Sequence, residues 1–187
     1  ERPVVAPYVY RPPATTPMDK VDGHCTPNFA YGYVAQAVFA DVNVQTGEIH
    51  LRDVISVDDV GKAINPQQVE GQIEGAVVQA TGYTILENWK KRNAQALTKE
   101  LSTYLIPTIL DIPDRTRAVI LEYPDPIGPY GARGMGEMPL LPFAAAVVDA
   151  VYQATGIRFN VFPLTSERVL RGLGKLKPEG SSFWDYE

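Results

Sequence analysis

Cysteine is almost absent from this 187-residue chain. Cys25 stands alone, which excludes an internal disulfide and any iron–sulfur or zinc centre held by the cysteines of this chain. Long basic runs are missing too. The longest is Trp89-Lys90-Lys91-Arg92, and 17 lysines and arginines against 22 acids leave a net charge of −5, a balance that argues against nucleic-acid binding. No apolar run approaches the ~20 residues that span a bilayer. No leader peptide is visible, and the chain opens on Glu-Arg-Pro rather than Met. These absences predict a soluble chain in a reducing, cytoplasmic setting, either processed or a fragment.

What is present suffices for a real core. The hydrophobic fraction is 45%, ordinary for a globular protein, and the length implies one domain or two small ones. Residues 1–28 hold six prolines and no helical or strand period, so they read as an extended arm. Tyr33 to Val44 and Ile49 to Val57 alternate as two strands around the turn Gln45-Thr46-Gly47-Glu48, and Asp58-Asp59-Val60-Gly61 reads as a break. Asn65-Pro66 has the chemistry of a helix start, cap then first-turn proline. Val69, Ile73, Ala76 and Ala80 then recur at helical spacing. Residues 86–100 read as an exposed excursion and 102–113 as irregular. Arg117 to Tyr123 is a predicted strand, Leu140 to Ala154 a buried helix ended by Gly156, and Ile157 to Phe162 a last strand. Thr165 to Leu173 is a short closing helix capped by Thr165 or Ser166. There is no internal repeat, and strands mixed with helices without strict alternation give an α+β class.

Two segments stand out chemically. Gly131-Ala132-Arg133-Gly134-Met135-Gly136-Glu137-Met138-Pro139 places three glycines in six residues and then a carboxylate. Such a loop presents Glu137 to a bound group or is a surface loop with a solvated acid. In the first helix, Gly71 and Gly75 each cost roughly 1 kcal/mol against Ala, which implies close approach of a neighbour or ligand. Gln68, Gln72 and Gln79 lie on the same side as Gly75, where they serve a ligand or face solvent. Arg133 has two readings, a group that orients substrate or a cofactor phosphate and a structural ion pair. Tyr130 fits a pocket wall or ordinary packing, and Glu70 and Glu74 fit a solvated helix face.

Several stretches in order resemble the molybdenum hydroxylases, the xanthine dehydrogenase and aldehyde oxidoreductase family. They are Asp59-Val60-Gly61 with Asn65-Pro66, then Gly71-Gln72-Ile73-Glu74-Gly75-Ala76 with Gln79, then Ser102-Thr103-Tyr104 with Ile106-Pro107 and Ile112-Pro113, and finally Gly128 through Leu140. The likeness runs from about Tyr31 to Leu173. The glycine-rich stretch, Ala154-Thr155-Gly156 and Glu167-Arg168-Val169-Leu170 look closer to the bacterial aldehyde oxidoreductase branch.

The resemblance implies a mixed sheet with packed helices, the C-terminal portion of a molybdopterin-binding domain at 29–174, flanked by the arm at 1–28 and a polar tail at 175–187. It implies that Glu137 is the general base and that Gln72 hydrogen-bonds the pterin, with Gly134, Gly136 and Arg133 also bordering the cofactor and no residue binding metal directly. The Cys25–His24 pair has no counterpart in the family's chemistry. The implied activity is oxidation of an aldehyde or an N-heteroaromatic (purine- or nicotinate-like) substrate with water as oxygen source. The molybdopterin-type molybdenum cofactor is then shared with another molybdopterin-binding chain or segment, and 2Fe-2S and FAD sit on an iron–sulfur subunit and an FAD subunit. The alternative is a non-catalytic structural or assembly subunit of such a complex.

Overall fold

The computed structural model describes residues 3–176. Most of the expected tail at 175–187 therefore lies outside the described residues. The expected arm is largely extended and exposed as far as Asn28, with a turn at 20–22 closed by hydrogen bonds between Asp19 and His24 and by an isolated bridge between Thr16 and Thr26.

β1 (Tyr33–Val42) and β2 (Ile49–Asp59) form the predicted hairpin, antiparallel, with a bulge at Phe39/Ala40. α1 (Pro66–Thr81) follows, and its cap works as the sequence suggested: Asn65 accepts a hydrogen bond from the amide of Gln68 at 3.2 Å, with Pro66 in the first turn. A π-helical turn, Gly82–Leu86, extends it. The excursion carries a two-stranded ribbon, β3 (Lys91–Arg92) and β4 (Gln95–Ala96). β5 (Thr116–Leu121) returns parallel to β2, giving a three-stranded mixed sheet in the order β1-β2-β5. α2 (Phe143–Thr155) and α3 (Ser166–Gly172) close the chain, α2 ending on the left-handed Gly156 and α3 starting on Thr165 as cap. The α+β class with a mixed sheet stands.

Three boundaries differ from the sequence reading. β2 does not break at Asp58-Asp59; it runs through them, because Asp59 has a buried cation for a partner. The helix expected from Leu140 starts at Phe143, since Met138–Leu140 is a separate 3-10 turn and Pro142 lacks the amide that would join them. Residues 157–162 form no strand. They are paired with no other strand among the described residues, and their pattern reflects Phe159 and Phe162 packing singly against the core.

The core lies on one face of the sheet. Leu51 and Val54 of β2 meet Val77 and Ala80 of α1, Phe143, Val147 and Val151 of α2, and Leu164. The run Met138–Thr155 has a mean hydropathy of 1.2 over 18 residues, longer in apolar character than the sequence reading allowed. Its Phe143, Val147 and Val151, one helical face, are fully buried in this core. The other face of the sheet carries Ala35, Ala37, Ile55, Val57 and Val119 in register and no helix covers it among the described residues. Tyr33 and Phe39, at its border, are exposed.

The glycines of α1 face outward. A Cβ added at Gly71 or Gly75 would meet nothing within 4 Å, so the close approach expected there comes from no part of this chain that the structure describes. Replacing Gly75 by Ala should therefore stabilise this chain by about 0.5–1 kcal/mol, the conformational-entropy gain of a helical Ala. Urea unfolding measures it, and a loss of stability would show that the helix face is already covered.

Candidate functional site

The site is built where the glycine-rich loop crosses the end of β2. Two backbone bonds fasten the loop: the amide of Arg133 donates to the carbonyl of Val60 at 2.8 Å and that of Lys62 to the carbonyl of Gly131 at 2.7 Å. Gly61 and Ala132 form an isolated bridge, and a Cβ at Gly61 would collide with the Gly131 carbonyl. Only glycine allows this crossing.

Arg133 locks the crossing. Its guanidinium donates to Asp59 at 2.5 Å and to Asp125 at 3.2 Å, and it lies over the ring of Tyr33 at 5.3 Å. The side chains of Arg133 and Asp59 are each 11% exposed. The guanidinium, one of the groups expected to border the cofactor, is thus engaged by two carboxylates, and Arg133 serves the site as part of its wall. The Asp125 carboxyl lies below the usual carboxylate range because the amides of Ile127 and Gly128 donate to it, and Arg133 adds to the effect. Beside this, Lys62 and the amide of Ala63 hold Glu122 ionised in the same way, with Lys62 the larger cause.

Beyond Arg133 the loop turns toward α1. Gly136 has φ +32° and Glu137 sits at φ −100°, ψ 15°, the sparsely populated bridge region common to active-site residues. The turn delivers Glu137 to the helix: the side-chain amide of Gln79 donates to Glu137 Oε1 at 3.2 Å. Glu137 Oε2 makes no hydrogen bond among the described residues. Gln72 lies two turns before Gln79 on the same face of α1, where 68, 72, 75 and 79 align. It borders a cleft of about 240 Å³ with Gln68, Val69, Ala132, Arg133 and Met135, and its amide has no partner among the described residues. Gly134 and Gly136 match Gly71 and Gly75 in one respect, since a Cβ added at either would meet nothing within 4 Å.

The structure thus brings Gln72 and Arg133 to one cleft and Glu137 to Gln79, further along the same helix face, whereas Gly134 lines a separate pocket against Pro12, Pro13 and Asn28 of the arm. Gln79, which the sequence grouped with Gln72 without a role of its own, is the amide that touches Glu137. Its spacing from Gln72 was the available signal. Tyr130 is almost fully exposed at φ 56° and is not among the residues that border the Gln72 cleft. Cys25 is exposed on the arm, far from the loop in sequence and without a bond to it. Among the described residues no three His, Cys, Asp or Glu side chains group to hold a metal.

Donor and acceptor chemistry fits a flat, polar heterocycle such as a pterin. The side-chain amides of Gln68 and Gln72, without a partner among the described residues, line one wall, and Gly71 and Gly75 on that helix and Gly134 and Gly136 on the loop leave backbone bare. Comparisons with known proteins identify the family. The profile of the molybdopterin cofactor-binding domain matches residues 1–113. A probable xanthine dehydrogenase subunit of Bacillus subtilis is 35% identical over 86% of this chain and 21% of its own length. Among solved structures, aldehyde oxidoreductase from Desulfovibrio gigas superposes with a TM-score of 0.76 at 32% identity, covering 86% of this chain and 17% of that one. Quinoline 2-oxidoreductase from Pseudomonas putida 86 gives 0.68 at 38% identity, over 73% and 18%. The chain spans about a fifth of the length of the curated relatives it matches.

Two outcomes follow from the ion cluster. Arg133→Met should cost about 3–5 kcal/mol in urea unfolding, because Asp59 stays buried without its cation; a cost under about 1 kcal/mol would mean the cluster is dispensable. Asp125 contributes stability that is complete above pH 3.8, its unperturbed value, and is lost as pH falls through its depressed folded value. In an acid titration followed by loop fluorescence or NMR, Asp125→Asn should remove that part of the transition.

Proposed function

The chain belongs to the molybdopterin cofactor-binding domain family, and on that premise we propose that it forms one wall of a molybdenum cofactor site and supplies the proton-accepting Glu137 of a hydroxylating oxidoreductase. The observation that carries this reading is the Gln79–Glu137 hydrogen bond. It ties the carboxylate at the end of the glycine-rich loop to the open, glycine-bearing face of α1.

Gln72 holds the pterin by its free amide, while Gly71, Gly75, Gly134 and Gly136 let it lie against backbone. When bound, the molybdenum cofactor supplies a two-electron redox centre at which oxygen derived from water becomes nucleophilic. The part played by this chain is proton handling. Gln79 orients Glu137 by binding Oε1, which leaves Oε2 to accept a proton from the nucleophile within hydrogen-bond reach. The bridge-region backbone after Gly136 fixes where that oxygen points. Arg133 acts at one remove by holding the loop on β2.

The substrate class is an aldehyde or an N-heteroaromatic ring, the two kinds of substrate that the names of the aldehyde and quinoline oxidoreductases carry. The site is completed by further molybdopterin-binding polypeptide. Supporting this, nothing among the described residues covers α1 at Gly71 and Gly75, and Tyr33, Phe39 and Val119 of the sheet are exposed. The 2Fe-2S and FAD groups lie outside these 187 residues, on partner chains; for the cluster the single cysteine supports this, since it cannot furnish the ligands.

In the assembled enzyme, Glu137→Gln should lower turnover by roughly 10²–10⁴-fold, the range for loss of a general base, with molybdenum and pterin content unchanged by metal and fluorescence analysis. Turnover that survives the substitution overturns the assignment. An assembly that holds neither molybdenum nor pterin would instead favour a non-catalytic, structural subunit.

A further inference from the structure

A polar chain runs through the inner face of the sheet directly beneath the Glu137 turn. Gln36 of β1 and Ser56 of β2 are register partners, and the Gln36 amide nitrogen donates to Ser56 Oγ at 3.0 Å. Ser56 Oγ in turn donates to Asp58 Oδ2 at 2.7 Å. Ser56 and Asp58 are wholly buried. The same Gln36 nitrogen also donates to the carbonyl of Pro139 at 2.7 Å, across 103 positions of sequence.

That carbonyl needs a donor from outside its own turn. Met138–Leu140 is a 3-10 turn, in which the carbonyl of residue 139 would accept from the amide of residue 142. Residue 142 is proline and has no N–H. Pro139 is itself buried, so water cannot substitute readily, and a buried carbonyl left unmade costs free energy. Gln36 supplies the missing donor. Since a carbonyl only accepts, this contact also fixes which way the Gln36 amide faces.

The arrangement is costly for a core face. Gln36 Oε1 and Asp58 Oδ1 are buried without a hydrogen-bond partner, and burial raises the Asp58 carboxyl above its ordinary range, with the Ser56 hydrogen bond opposing. Apolar residues at 36, 56 and 58 would avoid those costs. Orphaned buried acceptors in a native structure call for a reason, and the turn they hold carries Glu137.

We propose that Gln36 is a positioning residue for Glu137: anchored by Ser56 and Asp58, it grips the Pro139 carbonyl and thereby holds the turn that aims the carboxylate. The proposal rests on the reading of Glu137 as the proton acceptor. It differs from that reading in what it predicts for the backbone, which is measurable without turnover.

The test compares Gln36→Leu, similar in volume and free of the orphaned oxygen, with the unaltered enzyme in its assembled form. Amide hydrogen exchange at Met138 and Leu140 should quicken about tenfold or more, while exchange in β2 and α2 stays unchanged. Turnover should fall about tenfold or more through kcat, with KM and molybdenum content unchanged, because a displaced base loses alignment rather than binding. Ser56→Ala should move both readouts in the same direction by a smaller factor, and it serves where Gln36→Leu does not fold. Unchanged exchange at Met138 and Leu140, or unchanged kcat, overturns the proposal. If Glu137→Gln retains activity while Gln36→Leu still loosens the turn, the base assignment fails and the anchoring of the turn stands.

Discussion

The buried cation at Arg133 is the constraint on which the site depends. One guanidinium satisfies Asp59 at the end of β2 and Asp125 in the loop after β5, so it joins the sheet, the loop and the glycine-rich segment at a single point. Remove the charge and two carboxylates lose their counter-ion, the last residue of β2 loses the reason to stay in the strand, and the crossing over Gly61 loses its side-chain anchor. An ion pair of this kind is a poor source of net stability, because desolvation offsets much of the attraction. Its value is geometric. It selects one arrangement of the loop among the many that three glycines permit.

The loop and the helix opposite it share an unusual economy of side chains. Gly71, Gly75, Gly134 and Gly136 all leave space that no atom of the described chain fills, while Gln72 and Glu137 project polar groups beside that space. A domain folding for itself would place Ala at 71 and 75 and gain helix stability. The cost is explained when the empty face is one side of an interface with a flat cofactor and with the remainder of a larger molybdopterin-binding protein; the chain spans about a fifth of the length of the curated relatives it matches.

Much of the fold was legible in the residues because its causes are local. Asn65-Pro66 starts α1 since a side-chain oxygen and a missing amide act within one turn. The hairpin of β1 and β2 follows from alternation and a short turn. The expected strand at 157–162 failed because a strand needs a partner, and a partner is not a local property. Asp58 and Asp59 looked like a break for the same reason: an acid disfavours a strand until something distant compensates it, here Arg133, 74 positions on.

The sequence by itself determined that a glycine-rich loop ends in Glu137, that an amide-bearing helix carries glycines on one face, and to which family these pieces in order belong. Those are facts of residue type and spacing. Only the tertiary structure decided that Gln79 is the amide touching Glu137, that the Arg133 guanidinium is engaged by Asp59 and Asp125, and that Gln36 completes the hydrogen bonding of Pro139 across 103 positions. Each of these is a match between one donor and one acceptor, and such matches are set by where the folded chain brings two groups within 3 Å or so of each other. No pattern along the sequence records that distance.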